Sequence, residues 1–200
     1  MTSALLPAPT FSICVYCGSR PGHDPRFAQA AAQVGYWIGA HGGQLVYGGG
    51  RGGLMGVVAD AALAAGARVL GIIPRDLAER EHAHHGCTEL IVVDTMHERK
   101  RLMAERADAF LALPGGIGTF EEFFEAWTWR QLGYLNKPIG LLNLNGYYDA
   151  LLAFITHGIA AGFMDESHLR LIEVGTQCHP LLQRLVSAAG WPAPQRVDAI

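Results

Sequence analysis

Ala109-Phe110-Leu111-Ala112-Leu113-Pro114-Gly115-Gly116-Ile117-Gly118-Thr119-Phe120-Glu121-Glu122 is the stretch that decides the fold. Ala109 to Leu113 is an apolar run short enough for a strand buried on both faces. A proline and paired glycines close it. From about Thr119 to Leu132 the apolar residues then recur with helical spacing, which places Glu121 and Glu122 in the first turns, where the helix field favours acids. Strand, glycine turn, helix is the repeating unit of a parallel α/β sheet.

The same unit recurs on both sides of this stretch. Phe11 to Tyr16 reads as a strand closed by Gly18, and Pro25 to Ala40 as a helix with proline in its first turn. Gln44 to Tyr47 is a second strand; the run Gly48 to Gly53 follows it, and then a helix from Leu54 to Ala65 stopped by Gly66. Arg68 to Ile73 is a third strand ended by Pro74. The polar connection from Arg75 to Gly86 contains too little apolar material for a core and is expected to form a mobile rim, with His82, His84 and His85 exposed. Glu89 to Val93 is the next strand, followed by a helix from Thr95 to Arg106 capped by Asp94 or Thr95. Beyond residue 132 the pattern predicts a strand at Pro138 to Asn143 and a helix at Tyr147 to Ala160 with Leu151, Leu152 and Ile155 on its apolar face. A strand at Leu169 to Val174, a helix at Leu181 to Ala189 and a proline-rich tail complete it. No internal linker interrupts the series. The expected fold is α/β, a Rossmann-like three-layer sandwich with a largely parallel sheet and helices on both faces. It forms one domain over residues 1–200, with its core at about 11–189 and short tails.

Composition narrows the function classes. The chain has 200 residues, half of them hydrophobic, with 15 basic against 18 acidic side chains and a net charge of −3. That balance carries no electrostatic footprint for a phosphate polymer, so no nucleic-acid partner is expected. No apolar stretch approaches membrane-spanning length, and Met1 to Pro9 lacks the pattern of a targeting segment, so the expectation is a cytoplasmic protein with no membrane partner. Cys14 and Cys17 have the spacing of a redox or zinc half-site without a second half, and read as buried thiols on a strand. No metal is expected at the histidine-rich connection either, since it lacks a paired ligand motif. The 25 glycines far exceed the usual share of about 7%. Many stand in short clusters such as Gly48-Gly49-Gly50, Gly52-Gly53 and Gly115-Gly116, as expected for tight backbone work beside a ligand.

Three clusters fall at the C-terminal ends of strands, the edge where open parallel sheets bind ligands. These are Gly18-Ser19-Arg20, the run Gly48 to Gly53 with Gly49 and Gly50, and Gly115 to Thr119. They read either as a cradle for a mononucleotide or sugar phosphate, or as tight turns required for packing. Neither a G-x-G-x-x-G turn nor a P-loop Lys-Ser/Thr is present, so neither NAD binding nor ATP hydrolysis is supported. Arg99 and Lys100 lie near the start of a helix, where cations oppose the helix dipole unless an anion or acid partners them. Surface solvation is their alternative role. Glu121 and Glu122 read as contacts to ribose hydroxyls or an incoming water, or as simple helix-start acids. His97 reads as an acid or base, or as an orienting group; Asp94, Glu98 and Asp108 read as caps and solvated faces.

Three motifs together carry a resemblance: Tyr47-Gly48-Gly49-Gly50 through Gly52-Gly53-Leu54-Met55-Gly56, Met96-His97-Glu98-Arg99-Lys100, and Pro114-Gly115-Gly116-Ile117-Gly118-Thr119-Phe120-Glu121-Glu122. From about Phe11 to Ala189 the chain resembles the LOG (Lonely Guy) family of cytokinin riboside 5′-monophosphate phosphoribohydrolases, long labelled lysine-decarboxylase-like. The resemblance implies a homodimer that hydrolyses the N-glycosidic bond of N6-modified adenosine 5′-monophosphates, with no redox cofactor and no decarboxylation; because the residues give the base pocket no firm reading, plain AMP is a further expected substrate. It implies Arg99 and Glu122 as the catalytic pair. Glu81, Lys100, Gly116, Ile117, Gly118, Thr119, Phe120, Glu121 and Thr128 match substrate-binding positions, and Ser19 beside Gly18 matches a residue near the phosphate. Arg20 departs from the pattern, because a second small residue often stands there in relatives.

Cleaving the bond to the purine develops positive charge on the ribose and negative charge on the base, which suits a carboxylate and a cation respectively. Met55, Met96 and Trp129 read as covers for an apolar N6 substituent or as packing. Phe123, Phe124, Trp127 and Trp129 form an aromatic stripe that reads as a dimer contact or as core. The rival to an enzyme is a nucleotide-binding sensor or carrier that keeps the cradle without cleavage.

Overall fold

Alternation along a single strand organises the molecule. In β1 (Ser12–Tyr16) every residue is buried; Ile13 and Val15 face one layer of helices, while Cys14 and Tyr16 face the other. The computed structural model describes residues 8–78 and 82–192. The expected ligand residue Glu81 and most of both tails lie outside the described residues.

Six more strands flank β1: β2 (Gln44–Tyr47), β3 (Arg68–Pro74), β4 (Glu89–Val93), β5 (Ala109–Ala112), β6 (Ile139–Leu142) and β7 (Ile172–Gly175). Their order is β4-β3-β2-β1-β5-β6-β7, and every pairing is parallel. The chain therefore moves outward from β1 to one edge and crosses back to lay β5 on the other side of β1. In register, Cys14 faces Val46 of β2 and Phe110 of β5. Asp108, read from sequence as a cap or solvated acid, locks this crossing: its Oδ2 accepts the Ser12 N–H at 2.8 Å.

One helical layer contains α1 (Pro25–Ala40), α2 (Gly53–Ala64) and α8 (Cys178–Ala188), with Val34, Ile38, Val58, Leu181 and Leu185 packed on Ile13 and Val15. The other contains α4 (Met96–Arg106), α5 (Ile117–Gln131) and α6 (Asp149–Ala160), with Met103, Phe123, Trp127 and Ile155 packed on Cys14 and Tyr16. Burying each such side chain contributes about 1.5–3 kcal/mol. Two one-turn helices, α3 (Arg75–Ala78) and α7 (Glu166–Leu169), and a 3-10 turn at Leu144–Gly146 lie between these elements. The α/β three-layer fold read from the sequence is the fold observed.

The aromatic stripe of α5 is largely core. Phe123 and Trp127 are buried, Phe124 stacks on Trp127, and the indole N–H donates to His168 O at 3.0 Å. Boundaries shift in two places that matter. Helix α5 begins two residues earlier than its apolar rhythm suggests, because Gly116 rather than Gly118 ends the turn. Glu121 and Glu122 are consequently its fifth and sixth residues, beyond the first turn and its favourable field. Leu169 belongs to a short helix capped by Asp165, and β7 starts at Ile172.

Helices α1 and α2 touch backbone to backbone. A Cβ on Gly35 would collide with Val58 O, and one on Gly39 with Ala65. Replacing Gly35 by Ala should destabilise the protein by about 1–3 kcal/mol, as overpacking does; urea denaturation measures the loss.

Candidate active site

The strand order reverses between β1 and β5, and the turns leaving both strands meet there. Gly18 N–H donates to Pro114 O at 3.1 Å, and Leu54 N–H, at the start of α2, donates to Gly18 O at 2.9 Å. The loop after β6 joins them through two phenols: Tyr147 donates to Gly115 O at 2.5 Å and Tyr148 to Leu113 O at 2.6 Å. The result is an open cavity of about 520 Å³ lined by Gly18, Ser19, Arg20, Gly22, Phe27, Gly115, Gly116, Ile117 and Tyr147 among others. Among the described residues, Arg20 is its one charged lining residue.

The glycines here serve different ends. Gly115 is required by packing, since a Cβ there would collide with the Thr119 side chain. At Gly116 and Gly118 a Cβ would meet nothing within 4 Å, and neither has a positive φ. What glycine leaves there is uncovered backbone. Gly116 caps α5 with no side-chain bond, whereas Asp24 and Thr95 cap α1 and α4 with their side chains. The first amides of α5 thus open at the cavity rim, an arrangement suited to an anion.

Arg99 sits deeper. It is 6% exposed; its Nε donates to Ile72 O at 3.1 Å, its Nη2 to Gly48 O at 3.1 Å, and its Nη1 lies 3.5 Å from Met96 Sδ. A buried guanidinium needs such acceptors. Thr95 starts the helix that carries it, accepting the Glu98 N–H at 3.1 Å. The half-buried Glu122 approaches from α5. Burial pushes the Cys14 thiol far above its ordinary range; the Glu122 carboxylate adds to the rise and the Arg99 guanidinium opposes it. Burial and then Glu122 likewise raise Cys17. Both charges therefore bear on Cys14, in the middle of β1. Cys14 and Cys17 themselves are free, buried thiols.

The remaining expected residues divide. Gly18, Ser19, Gly116 and Ile117 line the cavity, with Gly118 exposed, and Thr119 and Phe120 packed, just behind. Gly49 and Gly50 do not line it: they are buried, with Gly49 at φ +75° against Ile72 and Ile73. Glu121 and Thr128 are exposed on α5, whereas the Lys100 side chain on α4 is only 11% exposed. Lys100 Nζ donates to Glu121 Oε1 at 2.7 Å and to Glu125 Oε1 at 2.9 Å, so its partners are carboxylates of the protein itself rather than solvent. A second cavity of about 490 Å³ opens beside them, walled by Trp129, Tyr134 and Lys137. His97 and Met96 are exposed, while Met55 is core. His84 departs from the expected exposed rim: it is 3% exposed. Among the described residues no group of three or more His, Cys, Asp or Glu is placed to hold a metal ion, and no helix is long and apolar enough to cross a membrane.

Sequence reasoning missed Phe27 and Tyr147 as lining residues and Glu125 as a partner of Lys100. The signal for Glu125 was present, one helical turn after Glu121 on the same face. Tyr147 became legible only once β6 was known to lie beside β5.

A parallel sheet reversing its order at a rim of glycine turns defines a Rossmann-like class of α/β protein. Within that class, a family model described as "Possible lysine decarboxylase" matches residues 55–185. A cytokinin riboside 5′-monophosphate phosphoribohydrolase of Rhodococcoides fascians is 53% identical over 154 residues, covering 76% of this chain and 78% of that protein. The enzyme of that name designated LOG2 in Arabidopsis thaliana is 47% identical over 173 residues, covering 86% and 81%. Among solved structures, the Moco carrier protein of Chlamydomonas reinhardtii shares the fold, with a TM-score of 0.67 at 19% identity over 92% of this chain and 99% of that one. The chain belongs to the LOG family.

Burial of Lys100 would lower its pKa, but the bonds from Glu121 and Glu125 outweigh that and hold the ammonium above its ordinary 10.5. A folded-state value raised in this way gives stability that is fully present below about pH 10.5 and is lost as pH rises through the raised value. In urea denaturation across pH 9–12, K100M should therefore show a shallower alkaline fall than the wild type.

Proposed function

We propose that the protein hydrolyses the N-glycosidic bond of N6-modified adenosine 5′-monophosphates, releasing the free base and ribose 5-phosphate, with plain AMP as a further substrate. The observation that carries this reading is the pairing of opposite charges. Arg99 on α4 and Glu122 on α5 both bear on Cys14 of β1, and the cavity with uncovered helix-start amides opens where the chain leaves that strand. The names of relatives 47–53% identical over most of the chain support the same chemistry.

In this reading the phosphate rests on the amides from Gly116 to Thr119, flanked by Gly18 and Ser19. Glu122 lies five residues beyond Ile117, about 7.5 Å along the helix axis, a span on the order of ribose 5-phosphate. Its carboxylate stabilises the cationic ribose of the transition state and deprotonates the attacking water. Arg99 compensates the negative charge that develops on the departing purine. Arginine keeps its proton at any physiological pH, so the leaving base takes its proton from water rather than from Arg99. Lys100 and its carboxylate partners, with Thr128, Phe120 and Glu81, complete the proposed binding set, whereas Gly49 and Gly50 belong to the turn that holds Arg99. We read the protein as cytoplasmic and as a homodimer; exposed Ile117, Tyr134, Phe154 and Phe163 supply apolar surface for a second copy, and sedimentation tests the assembly.

Incubation with isopentenyladenosine monophosphate, its riboside and AMP, followed by chromatography, should release base from the ribotides. The riboside should react roughly tenfold or more slowly, because it lacks the remote binding energy of the phosphate. Glu122→Gln should retain the fold and lower kcat by about 10²–10⁴-fold. Intact nucleotide recovered from a tight complex would instead identify a carrier.

A further inference from the structure

His84 is a buried titratable side chain that the chemistry above does not use. We propose that it forms, with Asp60, a clip that positions Arg99 through the turn Gly48–Gly50; the proposal rests on the catalytic role given to Arg99.

His84 Nε2 lies 2.9 Å from Asp60 Oδ1 on α2, and Nδ1 accepts the Gly86 N–H at 3.1 Å. A ring nitrogen that accepts from an amide carries no proton, so the proton is on Nε2 and is donated to Asp60. The backbone around His84 is sewn to the glycine turn. His84 N–H donates to Gly49 O at 2.8 Å, Arg51 N–H donates to His82 O at 3.0 Å, and Gly50 and Ala83 form an antiparallel bridge. At the far end of this strap, Cys87 Sγ lies 3.2 Å from the hydroxyl of the buried Tyr47, the last residue of β2. The segment His82–Cys87 thus ties α2 and the end of β2 to the turn.

That turn is where Arg99 is held. Two consecutive carbonyls are committed, Gly48 O to Arg99 Nη2 and Gly49 O to His84 N–H. The turn has no room toward Arg99, because even a Cβ on Gly48 would collide with the guanidinium. Releasing the clip lets the Gly48 carbonyl drift and the guanidinium with it. A displacement of about 1 Å at a reacting group costs on the order of 100-fold in rate.

The test uses the full-length protein and four variants. H84F and D60A remove the bond; H84Q keeps a donor and D60N keeps the acceptor at Oδ1. Steady-state kinetics on isopentenyladenosine monophosphate should show kcat reduced about 10- to 100-fold in H84F and D60A, KM within about threefold of wild type, and kcat restored to within about threefold in H84Q and D60N. Asp60 is more than half exposed, so D60A carries the test if H84F fails to fold. Wild-type kcat in D60A, a loss confined to KM, or a loss that D60N does not recover overturns the proposal. The Arg99 Nε–H resonance gives a readout independent of turnover. Its exchange with water should quicken in D60A and slow again in D60N, and unchanged exchange in D60A overturns the clip even if the wild type releases no base, an outcome that would separately defeat the proposed activity.

Discussion

A guanidinium taken out of water must be met by acceptors, and the C-terminal edge of this sheet is built around that demand. Arg99 is accommodated because Gly48 and Ile72 present carbonyl oxygens to it, and because Gly48 has no side chain to keep it away. Losing an acceptor of a buried charge costs far more than the net gain of an ordinary hydrogen bond. The run of glycines after β2 is therefore a packing device in its first members. The backbone narrows there so that a large cation can lie against it.

The glycines after β5 behave differently, and the contrast explains the composition. Gly115 is hemmed in by Thr119, but Gly116 and Gly118 face open space without any conformational need for glycine. One group of glycines lets protein approach protein, and the other leaves open space at the cavity rim. Both stand at strand ends because a parallel sheet directs all its connections from one edge to the next.

Much of this was legible in the chain. Strands as short as Gln44–Tyr47 were marked by apolar runs between glycines, and Arg99 and Glu122 stood out as charges at strand-to-helix transitions. What local pattern omits is pairing across distance. The burial of His84 follows from Asp60 on α2, a partner 24 residues away that no periodicity connects to it. Glu121 looked like a helix-start acid because the true start, at Ile117, depends on how Gly115 packs against Thr119. Tyr147 lines the cavity only because β6 lies beside β5. In each case the local reading was sound and the neighbour came from topology.

The crossing from β4 back to β5 also bears on how the protein comes into being. Ser12 and Asp108 are bonded across 96 residues, and the cavity needs Gly116, Ile117 and Tyr147 beside Gly18. A nascent chain that has emerged only through β4 can pair four strands yet contains no ligand cavity. The pocket arrives late, after a long loop has closed at an entropic cost that its own local contacts do not offset. A ligand of this cavity therefore cannot template the early sheet; it can stabilise only chains that have already brought β5 home.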